Sequence, residues 1–371
     1  MELFEKEPTF PTDYAEILER VRMIDPVGYG SSRNYINGAV TYLSPYISRG
    51  IISTKFIFSE MIASGYEPAR IQKFVQELAW RDYWQQVWIA KEDGINHDLK
   101  HDQKPVSNTA ISEAIVAAKT GVEAIDIAIN RLYHTGYIHN HVRMYIASIA
   151  CNVGQSYWKV PAQWMYYHLL DADWASNALS WQWVAGANAN KKYVANQENI
   201  NRYCFTKQKN TFLDVPYEAF AYMQIPEVLK NTTSLVLKTV LPKQGNIKID
   251  DTLPTCIYNF YNLDPLWKKD ISVNRILLLE PSHFEQYPVS KKTVDFIIKF
   301  SEENLNHIQI FIGEFNNFTT AYNLTDIYYK EHPLSNHYKG IEEPREWLFD
   351  VEGYFPSFFS FWKKCKKQLN Y

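Results

Sequence analysis

Residues 171–186 read DADWASNALSWQWVAG, which crowds the carboxylates of Asp171 and Asp173, the amide of Asn177 and three tryptophans into one short stretch. Such a mixture suits either a greasy helix with polar decoration or the wall of a site that stacks a planar ligand and moves electrons. Asp171 and Asp173 are two residues apart and cannot share a helix face, so they serve two separate partners. A second stretch, KFVQELAWRDYWQQVW, puts Glu77, Trp80, Arg81, Trp84 and Trp88 on one helical stripe. An acid beside an aromatic platform can hydrogen-bond and stack a flat ligand; the competing reading is a core face with a Glu77–Arg81 ion pair at its rim. A third, GYIHNHVRMYIASIACN, aligns Asn140, Arg143, Met144, Ala147 and Cys151. Arg143 on that face needs an anion, and Asp171 or Asp173 is available to supply it.

These residues must be positioned by helices. From about residue 14 to 205 apolar residues recur at helical spacing between breaks such as DPVGYGSS, SGYEP and EDG, and KPVSN ends in a candidate N-cap, Asn108. After TKQKNTFLDVPYE the texture changes. TCIYNFYNL, RILLLEP and IQIFIG read as buried strands, SKKTVDFIIKFSEEN as a crossover helix between two of them, and SHFEQYPVS as a plain connection. The expected fold is an α-helical domain over residues 1–212 followed by a smaller α/β domain with a parallel sheet over 213–371. The terminal FFSFWKKCKKQL is aromatic and then basic, and is expected to dock its aromatic face on the protein.

Composition narrows the classes. A net charge of −3 over 371 residues leaves only local patches to meet nucleic acid, with Arg49, Lys191, Lys192, Lys207 and Lys209 as candidates. The four cysteines lie far apart without a CxxC pair, which predicts reduced thiols, a cytoplasmic protein and no metal; His97 and His101 lack a third ligand nearby. No apolar run is long enough to span a bilayer and the first residues do not read as a leader, so no membrane partner is expected. Aromatic content reaches 15%, more than a core requires, and points to stacking surfaces.

Taken in order, AVTYLSPYISRGIIS, ELAWRDYW, HNHVRM and DADWASNALSWQWVAG resemble the FAD-binding helical domain of the photolyase/cryptochrome family over roughly residues 14–204, with most likeness to the cyclobutane pyrimidine dimer photolyases. The resemblance implies FAD as cofactor. Thr41, Leu43 and Ser44 would hold its pyrophosphate, Tyr29 a phosphate, and Arg143 and Asp171 would pair across the flavin. Asp173 would take adenosine or ribityl hydroxyls, Asn177 would sit by flavin N5, and Arg81 and Asn140 complete the set. Glu77, Trp80, Asn140, Met144 and Trp183 match the lesion-contacting positions. Trp181 and Trp158 match two members of a three-tryptophan electron relay whose distal member is missing, with Tyr157 as a candidate substitute. Phe74 and Tyr137 stand where relatives usually have tryptophan.

The implied activity is that of a blue-light, FAD-dependent carbon–carbon lyase. It would lend an electron to cyclobutane pyrimidine dimers in UV-damaged DNA, single- or double-stranded, with single strands favoured because a base is extracted from them at lower cost. The alternative is a cryptochrome-like photoreceptor that signals through a partner. RILLLEPSHF and IQIFIGEF are faintly similar to strands of the family's antenna domain, which would place that domain after the flavin domain instead of before it; no antenna pigment is assigned.

Overall fold

The computed structural model describes residues 7–369. The first half is built from helices α1 (Tyr14–Arg22), α2 (Pro26–Ser32), α3 (Ser44–Ser48), α4 (Thr54–Ala63), α5 (Gln72–Lys91), α6 (Glu113–Val116), α7 (Glu123–Thr135), α8 (Asn140–Ser148), α9 (Lys159–His168), α10 (Trp174–Ala185) and α11 (Gln197–Cys204). A short helix α12 (Glu227–Lys230) follows, and strand β1 (Ile111–Ser112) pairs antiparallel with β2 (Thr232–Thr233). Local chemistry sets the ends that matter. Asp173 caps α10 by accepting from the Ser176 N–H at 2.9 Å, and α10 stops at Gly186, where φ of +85° suits a residue without a Cβ.

The second half carries β3 (Thr255–Tyr258), β4 (Asn274–Leu279), β5 (Gln309–Ile312), β6 (Ile327–Lys330) and β7 (Ile341–Glu343), with α13 (Pro281–Gln286), α14 (Lys291–Asn304), α15 (Phe315–Ala321) and a C-terminal α16 (Phe358–Cys365). The five strands form one parallel sheet in the order β5-β4-β3-β6-β7. Ile276 and Leu278 of β4 face one apolar cluster with Phe315 and Phe318, whereas Leu277 and Leu279 join the main core; burial on both faces explains the unbroken RILLL. The expected β4–α14–β5 crossover is present. SHFEQYPVS, expected to be a plain connection, carries most of α13, which starts one residue earlier at Pro281. Asn108 caps no helix; it bridges to Ser156, accepting from that residue's hydroxyl at 3.1 Å.

One apolar core runs through both halves. The loop after β3 is pressed against the turn after α3. Leu263 N–H donates to the Arg49 carbonyl at 2.8 Å, and a Cβ on Gly50 would lie 2.6 Å from the Tyr261 carbonyl oxygen, so only glycine fits. Arg49, expected as a candidate at a DNA groove, is instead 0% exposed, because its guanidinium lies 3.6 Å from the Phe260 ring centre and donates to the Asp171 and Ala172 carbonyls at 3.1 and 2.9 Å. Burial pulls its pKa below the usual arginine value. A cavity of about 320 Å³ lies between the halves, bordered by Tyr261, His332 and Arg345.

Candidate functional site

A cavity of about 490 Å³ opens among α2, α5, α8 and α10 and the segment leading into α3. It gathers residues from stretches far apart in the chain: Tyr29, Thr41, Leu43, Ser44, Glu77, Trp80, Arg81, Asn140, Arg143, Met144, Asp171, Asp173, Asn177, Trp181 and Trp183 all line it. Trp158 does not. It is 0% exposed beneath α9, where its indole N–H donates to Asp98 at 2.8 Å and its ring neighbours are Tyr157 at 5.8 Å and Trp174 at 6.5 Å. Cys151, aligned with the α8 stripe by sequence spacing, is buried in a π-helical turn after α8 and forms no part of the wall.

Two ion pairs frame the cavity. Arg143 meets Asp171 through both nitrogens, at 2.9 and 3.3 Å, and its Nε donates to the Ile138 carbonyl at 3.0 Å. Burial pushes the Asp171 carboxyl up, but Arg143, with Arg81 behind it, outweighs burial and holds it below the ordinary carboxylate range. Arg81 pairs with Asp173 at 2.8 Å and donates to Ser48 Oγ at 2.9 Å. The Glu77–Arg81 pair weighed from sequence is therefore not formed; Glu77 meets Arg33 at 3.3 Å and Lys73 at 3.0 Å. Asp173 also accepts from Gln85 at 3.1 Å, so its two oxygens are engaged by Arg81, Gln85 and the α10 cap.

The polar lining is incomplete without a ligand. Ser44 Oγ and Ser176 Oγ are buried with no hydrogen-bond partner, and each such group costs about 1–3 kcal/mol unless something supplies one. Asn177 donates to the Ala162 carbonyl at 2.8 Å, which fixes its amide in the wall. Orphaned hydroxyls, a bidentate arginine–carboxylate pair and aromatic walls fit a cofactor that combines hydroxyls and phosphates with a flat ring, as FAD does.

At the rim, Trp80 stacks on Phe358 of α16, ring centres 3.7 Å apart and planes 11° from parallel. One face of this indole is thus already covered, and a base can stack only on the other. Trp183 remains 37% exposed, with Tyr193 at 6.0 Å. The tail docks its aromatic face as expected, with Phe358, Phe361 and Trp362 buried. Sequence reasoning missed Arg33, Gln85 and Ser176. Gln85 lies one turn beyond Arg81 on the same stripe, and Asp173-x-x-Ser176 has the spacing of a capped helix start, so both signals were available. Arg33 left none. His139 and His141 flank Asn140 in different ways: His141 lines the cavity, while His139 is buried and accepts from the His141 N–H at 3.2 Å.

The chain is similar to known proteins over part of its length. The family described as FAD binding domain of DNA photolyase matches residues 74–260. A deoxyribodipyrimidine photo-lyase of Streptomyces griseus is 32% identical over 158 residues, 42% of this chain and 34% of that protein. One from Thermus thermophilus is 32% identical over 165 residues, 43% of this chain and 38% of that protein. The match thus spans little more than a third of these relatives. A solved cryptochrome from Synechocystis sp. PCC6803 superposes with a TM-score of 0.49 at 22% identity, covering 53% of this chain and 44% of that one. Among the described residues no helix is long and apolar enough to cross a membrane, no group of metal ligands converges, and all four cysteines are free and buried.

Proposed function

The chain belongs to the photolyase/cryptochrome family as an FAD-binding protein, and from that premise we propose that it repairs cyclobutane pyrimidine dimers in UV-damaged DNA under blue light. The observation that carries this reading is the shared cavity: Glu77, Trp80, Asn140, Met144 and Trp183 open onto the same space as the Arg143–Asp171 pair and the orphaned serines. Ser44 and Thr41 would hold the phosphates of the cofactor and Arg143–Asp171 its ring. The chemistry that bound FAD supplies is a single electron, lent under blue light.

The remaining work falls to the side chains. Trp80 and Trp183 offer ring faces to the joined pyrimidines, each stack contributing about 1–3 kcal/mol. Glu77, held by Arg33 and Lys73, accepts from an imide N–H and fixes the dimer's orientation. Asn177, tied to Ala162, presents an amide instead of an acid and so delivers no proton to its surroundings. Single strands are the favoured substrate because unpairing costs a few kcal/mol in a duplex. The test is direct. Protein loaded with reduced FAD and lit with blue light should restore intact thymines in an oligonucleotide carrying one thymine dimer, and an unaltered dimer would overturn the reading.

One observation favours a second reading, a photoreceptor. Phe358 covers one face of Trp80, so the C-terminal helix is placed to respond to events in the cavity. That reading expects light to alter hydrogen-exchange protection in α16 with no dimer repaired.

A further inference from the structure

We propose that α16 and the lysines around it form a cationic rim that grips the phosphates of single-stranded DNA entering the cavity, with Phe359 as a platform for a base next to the one drawn in. This rests on the cavity being a DNA-lesion site. The helix is two-sided: Phe358, Phe361, Trp362 and Cys365 are buried, whereas Phe359 is 69% exposed and Lys363, Lys364 and Lys367 are exposed. Lys363, Lys364 and Lys367 make no ion pair among the described residues, although Gln368 beside them exchanges two hydrogen bonds with the backbone of Asp350. Exposed like charges without an ion-pair partner repel one another, so the arrangement favours a polyanion arriving to relieve them.

Its placement makes the patch relevant. The Phe358–Trp80 stack sets the start of α16 against a residue of the cavity wall. Lys100 continues the rim, its N–H donating to the Ala187 carbonyl at 2.9 Å just beyond α10 and its ammonium to the Pro356 carbonyl at 2.8 Å just before α16. It thereby joins the end of α10, where Trp183 is exposed and Lys191 and Lys192 follow, to the start of the tail helix. Ammonium groups interleaved with exposed rings match an unpaired strand, whose phosphates and free base faces alternate along its length. A duplex would leave Phe359 without a partner, because its bases are already stacked.

The test measures binding of an undamaged oligothymidylate to the FAD-loaded full chain as a function of salt. The variant Lys363→Ala/Lys364→Ala/Lys367→Ala should lose three phosphate contacts, lowering the log–log salt slope by about 2 and the affinity at 0.1 M salt by roughly tenfold or more. Phe359→Ala should weaken binding by about 5- to 150-fold and leave the slope unchanged. Lys248→Ala/Lys269→Ala/Lys339→Ala, which removes the same charge from the α/β half, should bind like the unaltered protein. Flavin absorbance reports that each variant is folded. An unchanged slope in the tail variant, an equal loss in the α/β control, or no binding by the unaltered protein would each overturn the proposal. Loss of dimer repair with these binding differences intact would instead sink the repair reading alone.

Discussion

Arg81 and Asp173, joined at 2.8 Å, stand in the partition between two cavities: both residues line the cavity of about 490 Å³ in the helical half and the one of about 320 Å³ between the halves. Asp173 is buried and Arg81 half-buried, so removing the guanidinium leaves the carboxylate held by Gln85 and the α10 cap but without a countercharge. Arg81→Ala should cost about 3–5 kcal/mol and release bound FAD, read by thermal unfolding and by flavin absorbance after gel filtration. A melt unchanged from the parent would show that the pair supports neither.

Arg143 and Asp171 make a similar prediction with sharper geometry. Arg143→Lys keeps the charge but loses the two-pronged contact and the Ile138 bond, and an ammonium does not replace a guanidinium at such a site. FAD retention should fall at least tenfold, with the Asp171→Asn variant falling alongside it. Retention equal to the parent would remove this pair from the cofactor site.

The electron path can be tested without touching the cofactor's contacts to the ion pairs. Trp181→Phe should leave FAD bound and stop its photoreduction. Trp158→Phe should slow photoreduction and also lower stability by about 1–3 kcal/mol, because it deprives Asp98 of the indole N–H. If Tyr157, at 5.8 Å from Trp158, replaces a distal tryptophan, Tyr157→Phe should slow photoreduction while FAD stays bound.

His139 gives the pH dependence. Burial, with His141 and Arg143 nearby, lowers its pKa from 6.5 to about 4, against the backbone carbonyls of Tyr35 and Arg33 that favour the charged form. Between those values the unfolded chain binds a proton that the folded chain refuses, so this contribution is whole above pH 6.5 and is lost as pH falls towards 4. At pH 5 the loss is about 2 kcal/mol. His139→Asn, which retains a side-chain acceptor for the His141 N–H, should flatten the fall in stability between pH 7 and pH 5; equal slopes for the two proteins would refute the assignment.

Much of the cavity was legible because helices repeat locally. Asn140, Arg143, Met144 and Ala147 are spaced for one face of α8, and all four reach the wall. What spacing cannot reveal is which charge meets which. Glu77 and Arg81 sit one turn apart and still choose other partners, because Asp173 offers Arg81 a buried site and Arg33 reaches Glu77 from another helix. Arg49 misled for the same reason: a lone arginine reads as surface until Phe260, 211 residues later, is known to cover it. β6 and β7 were not foreseen, since IYYK and IEE are too short to show a period. Strands β3, β4 and β5 announced themselves through continuous apolar runs.

The clamp of Arg49 between Phe260 and the Asp171–Ala172 carbonyls bears on separability. Cutting the chain after residue 212 would uncover a guanidinium with no carboxylate against it and strip one side from the segment that carries both aspartates. The fragment should therefore lose its flavin affinity even though every lining residue of the larger cavity lies within it. Scanning calorimetry of the whole chain should accordingly show one endotherm instead of two, the signature of halves that melt as a single cooperative unit.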